Sequence, residues 1–336
     1  MPPIFWPRQG VLRRPIRVIM TPMDRRSLFR EAFIERLGTS PSENVPLSAM
    51  SSFGIGGPAD LFFEARTEDE LAAAVDLAAE EKYPFYVIGG GNNLLFDDAG
   101  YRGIIIRNRL EGLVLGDGRL TVLSGTGLPC VLREALNASL IGLEFMAGIP
   151  GTVGGAIFGN AGAYGSSISD VLETATVLRT NGRRETLSRE DLGFGYRDSV
   201  LKTAAGAGIV LSASLLCSPG DSRGSEVKIR EILEKRRTRH PPLGTACAGS
   251  YFKNSCSATG MRIAAGQLLE QAGAKGMAVG DAAVYDGHCN FIINKGNARS
   301  RDVLSLAEEL KDRVFTAFGV RLEEEVIYLR ADASML

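Results

Sequence analysis

Residues 147–165 read AGIPGTVGGAIFGNAGAYG, seven glycines in nineteen positions, and no charged side chain occurs between Glu144 and Asp170. Glycine in regular structure costs about 0.5–1 kcal/mol against alanine. So many of them weaken an ordinary core element unless main chain must approach something closely. Pro150, Asn160, Tyr164 and the glycines interrupt the run too often for the ~20 apolar residues of a membrane-spanning helix. The stretch therefore reads as a tight loop of small residues with bare N–H groups. Such a loop either wraps a large flat or phosphate-bearing ligand or packs as a close structural turn.

A second glycine loop lies upstream. Residues 86–88 form a buried strand that runs into Gly89-Gly90-Gly91-Asn92-Asn93-Leu94-Leu95. A strand feeding such a backbone nest is a common pyrophosphate site; a strand-end turn is the competing reading. The loop is not a G-x-G-x-x-G fingerprint, because two asparagines follow and no helix start leads to an acidic residue ~20 positions on. A nicotinamide-binding dehydrogenase of that type is therefore excluded.

Outward from these loops the chain alternates strands and helices. Upstream, Leu28, Phe29, Ala32, Phe33 and Leu37 recur at helical spacing over residues 25–37, with Gly38 as the stop. Thr67-x-x-Glu70 is a capping box opening a helix to about residue 82. Strands are expected at residues 103–108 and 120–124, and a helix over 129–140. Downstream, strands at 171–179 and 184–187 are joined by Asn181-Gly182, a strong hairpin signal. A buried strand follows at 209–217. Residues 220–224 read as a linker-like change in composition before a basic helix over 226–237 that Pro241-Pro242 halts. A helix near 262–272, a strand at 288–294, a long helix capped by Ser300, and a strand at 321–329 complete the pattern.

The chain has 336 residues, enough for about two domains, and carries 38 basic against 39 acidic residues. That balance gives no electrostatic reason to expect nucleic acid or an anionic membrane as partner. Cys130, Cys217, Cys247, Cys256 and Cys289 form no C-x-x-C pair, which argues against a disulfide framework or a zinc site and suits a reducing, cytoplasmic setting. With two histidines in all, a multi-histidine metal centre is excluded, and no metal is expected. Residues 1–23 are basic, without an apolar core segment. They read as a disordered extension rather than a secretory signal, upstream of a start at Met20 or Met23.

Taken together, IGGPAD, GGGNNLL, AGIPGTVGGAIFGNAGAYG, YRDSVLK, AGSYFKN, HCNFIIN and LEEEV, seven pieces in this order, resemble the UDP-N-acetylenolpyruvoylglucosamine reductase family (also called UDP-N-acetylmuramate dehydrogenases) from about Pro46 to Tyr328. The short spacing between Leu211 and Ser250 looks like its second type, which lacks an inserted tyrosine-bearing loop. The resemblance implies an α+β chain with an FAD-binding domain of the vanillyl-alcohol oxidase (PCMH) type in two lobes, plus a smaller C-terminal α+β substrate domain. With the change in composition at 220–224, the domains are expected at 24–222 and 223–330. FAD would be held non-covalently, with NADPH as hydride donor. The enolpyruvyl ether of UDP-N-acetylglucosamine would accept a hydride at its methylene carbon and a proton at the adjacent carbon, giving UDP-N-acetylmuramate for peptidoglycan. The partner is thus a small nucleotide sugar, and a monomer or weak dimer is expected.

The resemblance also implies roles. Flavin contacts fall on Gly89, Gly90, Gly91, Asn92, Asn93 and Leu94, and on Ala147, Gly148, Ile149, Pro150, Gly151, Thr152, Gly154, Gly155, Asn160, Ala161, Gly162, Ala163 and Tyr164. Arg197 matches the arginine that stabilises the carboxylate-enolate, a task suited to a permanent charge with a bidentate grip. Ser250 matches the proton donor, which has to lie within about 2.6–3.2 Å of its target. Glu325 matches the acid beside the reacting centre. Strand alternation alone puts Glu323 and Glu325 on one face, opposite Glu324, and leaves the choice between those two open. Tyr196, Lys202 and Asn254 are expected substrate contacts, and His288 is expected to be structural. Ser51, Leu201, Ser255 and Asp286-Gly287 depart from the usual pattern without removing a proposed catalytic group. Two alternatives remain: a flavin-dependent sugar or alcohol oxidase of the same fold, against which YRDS and AGSYFKN argue, and a non-catalytic nucleotide-sugar-binding relative.

Overall fold

The computed structural model describes residues 24–116, 118–203, 207–256 and 262–333, so the expected extension of residues 1–23 lies outside it. Helix α1 (Arg25–Leu37) begins where the Asp24 carboxylate accepts the Ser27 amide and ends on left-handed Gly38. It is followed by β1 (Ser42–Pro46), β2 (Pro58–Ala65), α2 (Glu68–Glu80), β3 (Phe85–Ile88), β4 (Leu94–Phe96) and β5 (Tyr101–Asn108). The Thr67–Glu70 capping box forms as the sequence predicts. The sheet order is β1-β2-β5-β3, with β2 and β3 both parallel to β5. Alternation along the strands sends Leu61, Phe63, Ile104 and Ile106 against α1 and α2. Phe62 and Ile105 turn to the opposite core with Leu47 and Phe96. Covered on both sides, β5 reads as the near-continuous apolar run of a central strand.

The second lobe contains β6 (Leu113–Gly116), β7 (Arg119–Leu123), α3 (Leu128–Asn137), α4 (Val153–Phe158), β8 (Leu172–Leu178), β9 (Arg184–Ser188), β10 (Ile209–Leu216) and α5 (Ser222–Arg239). Its five strands are all antiparallel, in the order β9-β8-β10-β7-β6. The Asn181-Gly182 turn joins β8 to β9, with Gly182 at φ +75°. Two expectations need correction. Val153–Phe158 is helical, so residues 147–165 are not one continuous loop: Thr152 caps the turn by accepting the Gly155 amide at 3.4 Å. Residues 222–224 are not linker but the first turn of α5, because the Asp221 carboxylate accepts the Arg223 amide at 3.0 Å and so starts the helix early.

The remaining elements are α6 (Ala265–Gln271), β11 (Ala282–Val284), β12 (Ile292–Asn294), α7 (Ser300–Phe318) and β13 (Ile327–Leu329). Leu269, Val284, Ile292, Val303, Leu306 and Leu310 form their shared core. Ser300 is the first residue of α7 rather than its cap, which is Arg299. The Ser300 hydroxyl donates to the Asp98 carboxylate at 2.9 Å, and its amide donates to the same group at 2.9 Å, tying α7 to the first lobe. The expected strand at 288–294 shortens to β12, because Phe291 donates to the His288 carbonyl in a turn. The expected strand at 321–329 shortens to β13, which leaves its own group and pairs in parallel with β4, Ile327 opposite Leu94. Among the described residues no helix is long and apolar enough to cross a membrane, and no cluster of candidate metal ligands occurs.

Candidate active site

The two glycine loops pack back to back. A Cβ on Gly89 would stand 2.4 Å from Thr152 Oγ1, and one on Gly91, at φ +66°, would stand 1.9 Å from the Met50 carbonyl oxygen. Only glycine fits there, since a side chain would meet fixed backbone in a left-handed conformation. The amides of Gly90, Gly91 and Asn92 have no acceptor among the described residues. They form a row of free donors at the mouth of a strand, the arrangement that receives pyrophosphate. Asn93 faces the other way: its side-chain amide donates to the Glu325 carbonyl at 2.9 Å, and its own carbonyl accepts from Ile327 at 3.0 Å.

Both loops open on one cleft of about 2510 Å³. Pockets for drug-sized ligands measure roughly 300–1,000 Å³, so this space is large enough for more than one such ligand. Every predicted flavin contact lines it except Ala147, which is buried at 2% exposure. Tyr196, Arg197, Lys202, Ser250, Asn254 and Glu325 line the same cleft, so residues far apart in sequence are brought together.

The Arg197 turn is held by its neighbours. Arg197 itself has φ +57°, a conformation costly for a residue with a side chain, on the order of 1–3 kcal/mol. Three contacts offset that cost. Asn160 Nδ2 donates to the Gly195 carbonyl at 2.7 Å, Ser199 Oγ donates to the Phe158 carbonyl at 2.8 Å, and Lys202 Nζ donates to the Arg197 carbonyl at 2.6 Å. The side chain of Asn160, expected at the flavin, therefore anchors this turn, and Lys202 does likewise. Burial lowers the Lys202 pKa, which loosens its proton relative to an ordinary lysine.

Glu324 forms an isolated antiparallel bridge with Phe252, and the expected alternation holds around it. Glu324 lies 2.9 Å from Lys311, whereas Glu323, 3.3 Å from Lys253, and Glu325, whose carboxylate also feels Lys253, share a neighbourhood. Of these two, Glu325 is the one beside Arg197, 3.0 Å from its Nε. Its contact with Arg197 is an ion pair whose Nε–H is not aimed at the oxygen. Burial raises the Glu325 pKa, outweighing the opposing pull of Arg197, Lys202 and Lys253. A proton on Glu325 leaves the Arg197 charge uncompensated and available to a ligand.

Ser250 follows Gly249, at φ +79°, and its hydroxyl has no hydrogen bond among the described residues. Its neighbour Tyr251 donates to the Asn290 carbonyl and accepts from the Glu325 amide, both at 2.8 Å, which sets Ser250 beside Glu325. Asn254 Oδ1 accepts the Ala265 amide at 3.0 Å, while the Asn254 amide donates to Tyr196 Oη at 3.3 Å. Arg262 lies 4.0 Å over the Tyr196 ring. His288 keeps a structural role, accepting the Asn290 amide at 3.3 Å and stacking edge-on to Phe291.

Sequence reading missed two groups. Arg236, in the basic helix, reaches into the cleft 5.6 Å over the Tyr164 ring, and its Nε has no acceptor among the described residues. Gly148 makes way for it, since a Cβ there would lie 2.7 Å from Arg236 Cδ. His240 sits against His288 and Phe291, and burial with Arg236 pushes its pKa down to about 4. No local pattern marks either residue.

Comparison with known proteins supplies a second line of observation. The family model described as UDP-N-acetylenolpyruvoylglucosamine reductase, C-terminal domain, matches residues 241–329, and that of an FAD binding domain matches residues 59–188. The UDP-N-acetylenolpyruvoylglucosamine reductase of Clostridium botulinum (strain Eklund 17B / Type B) is 38% identical over 295 residues, which is 88% of this chain and 94% of that one. UDP-N-acetylenolpyruvoylglucosamine reductase 2 of Symbiobacterium thermophilum is 40% identical over 283 residues, covering 84% and 89%. The crystal structure of UDP-N-acetylenolpyruvylglucosamine reductase from Thermus caldophilus superposes with a TM-score of 0.71 at 34% identity, covering 85% of this chain and 98% of that one.

Proposed function

The chain belongs to the UDP-N-acetylenolpyruvoylglucosamine reductase family, and on that premise we propose which of its groups carry out the reaction. It is an FAD-dependent oxidoreductase of peptidoglycan precursor synthesis that reduces the enolpyruvyl ether of UDP-N-acetylglucosamine. Its fold is the expected one, a two-lobed FAD-binding part of the vanillyl-alcohol oxidase type joined to a smaller α+β substrate part. We assign residues 24–222 to the first part and 223–330 to the second, with α5, which begins at Ser222, packing back on the second lobe of the first part.

The free amides of Gly90, Gly91 and Asn92 and the side-chain-free surfaces of Gly89 and Gly91 fit the pyrophosphate and close approach of a dinucleotide. The chemistry FAD supplies when bound is two-electron transfer, a hydride accepted from NADPH, the donor we assign, and passed to the substrate's methylene carbon. Negative charge then gathers on the carbon beside the substrate carboxylate. Arg197 meets that charge with a guanidinium held in place by Asn160 and Lys202. Fixed groups aimed at developing charge are usually the largest catalytic contribution. Glu325, whose pKa burial raises, adds in its protonated form a hydrogen bond to the same carboxylate without cancelling Arg197. Ser250, its hydroxyl uncommitted within the protein, delivers the proton to the carbon. Tyr196, Asn254 and the unpaired edge of Arg236 face the nucleotide sugar.

The observation that carries this reading is the meeting of Arg197 and Glu325 at 3.0 Å on the cleft that both glycine loops line. The four described free cysteines suit a cytoplasmic enzyme, which we take to act as a monomer or weak dimer. The test is an anaerobic titration in two steps. NADPH should bleach the flavin, and the enolpyruvyl nucleotide should restore its colour. A bleached flavin that the nucleotide does not reoxidise would overturn the assignment of the substrate groups.

A further inference from the structure

Asn290 makes three hydrogen bonds to the two residues after Ser250. It is 3% exposed; its Nδ2 donates to the Phe252 carbonyl at 2.8 Å, its Oδ1 accepts the Phe252 amide at 2.9 Å, and its main-chain carbonyl accepts the Tyr251 amide at 2.8 Å. The side chain thus holds both main-chain groups of Phe252 as a neighbouring strand would, while the Asn290 main chain holds Tyr251. On their other edge, the Glu325 amide donates to the Tyr251 carbonyl at 2.8 Å, and the Lys253 amide donates to the Glu323 carbonyl at 2.8 Å. Upstream, the Cys247 amide donates to the Ser52 carbonyl at 3.0 Å, but between that bond and Ser250 lies Gly249, left-handed and with nothing within 4 Å of where its Cβ would be. The hydrogen bonds that flank Ser250 directly in the chain are therefore those of the residues after it.

We propose that Asn290 is the positioning residue for Ser250, acting through the backbone of Tyr251 and Phe252; this rests on the reading of Ser250 as proton donor. A misplacement near 1 Å in a reacting group costs about 10²-fold in rate. Tyr251 and Phe252 are each 1% exposed, so water does not replace the lost bonds.

The test separates the two half-reactions in FAD-loaded Asn290→Ala and Asn290→Asp enzymes, measured per bound flavin. Bleaching by NADPH should stay within about twofold of the parent enzyme, while reoxidation by the enolpyruvyl nucleotide should slow about 10²-fold in Asn290→Ala. Asn290→Asp, which keeps the acceptor for the Phe252 amide, should recover part of that loss. The solvent deuterium isotope effect on reoxidation should rise, because proton delivery becomes slower than hydride transfer. Unchanged reoxidation, or equal slowing of both halves, would overturn the proposal. Should Asn290→Ala fail to hold flavin, Asn290→Asp decides by the same measurements. A parent enzyme whose flavin the nucleotide does not reoxidise would instead remove the proton-donor reading, so the two failures are distinct.

Discussion

Across the cleft, the wall formed by Gly89, Gly90, Gly91 and the turns around Gly148 and Gly151 presents main chain, whereas the facing wall presents the side chains of Arg197, Ser250 and Glu325. The first kind of surface is marked locally by its glycines, although what each one makes room for, Thr152 at Gly89, Met50 at Gly91 and Arg236 at Gly148, lies far along the chain. The second kind depends on register between distant segments, since Arg197 meets a glutamate near the far end of the chain. The two walls are joined at Asn93, whose carbonyl continues the strand pairing and whose amide holds the Glu325 carbonyl. Changes on the main-chain wall should therefore act on cofactor retention, and changes on the side-chain wall on the second half-reaction alone.

The largest effect is expected from Gly91→Val. A Cβ 1.9 Å from the Met50 oxygen, at φ +66°, costs at least about 3 kcal/mol and displaces the loop. The purified variant should be colourless, with FAD affinity too weak to measure by fluorescence quenching. A yellow Gly91→Val enzyme would break the division between the walls.

Next in size is Ser250→Ala. Flavin reduction by NADPH should remain within about twofold, while reoxidation slows about 10²–10⁴-fold, the usual range for loss of a general acid. Stopped-flow absorbance of each half reads this directly. Equal slowing of both would show that the serine belongs to the common framework rather than to proton delivery.

The smallest expected effect is the pH response of Glu325. Its pKa is raised from 4.5 mainly by burial, so the protonated form is favoured in the folded enzyme. Reoxidation should be fastest below the raised pKa and fall as pH rises through it, by up to about tenfold per unit. FAD affinity, governed by amides that do not titrate, should stay flat over the same range. In Glu325→Gln the fall in rate should disappear. The same shift stabilises the folded chain fully below 4.5, and that contribution is lost as pH rises through the folded pKa.

Legibility followed the same division. The capping box at Thr67, the Asn181-Gly182 hairpin, the Gly38 helix stop and the Gly89–Gly91 loop are visible as short patterns, and each forms, whereas the 147–165 run conceals a short helix. Errors gathered where tertiary contacts override local ones. Alternation over Glu323, Glu324 and Glu325 separates Glu324 from the other two, but only the approach of Arg197, distant in sequence, distinguishes Glu325 from Glu323. Ser300 resembles a helix cap, yet the Asp98 carboxylate, itself distant in sequence, recruits both its hydroxyl and its amide. Asn160 looks like a ligand contact inside a glycine loop, but its amide is needed by Gly195. Arg236 and Asn290 carry no local signal, because what distinguishes them is the neighbour each one finds on folding.

The pairing of β4 with β13 has a consequence for biosynthesis. Among the described residues β4, the strand that immediately follows the Gly89–Asn93 turn, has β13 as its sheet partner, and the Asn93–Glu325 bond beside it spans 232 residues. While the ribosome is still making the intervening chain, the turn can pack on Met50 and Thr152, but Asn93 and β4 lack Glu325 and β13. This edge of the cleft is completed only once Ile327, Tyr328 and Leu329 have emerged, at the end of translation.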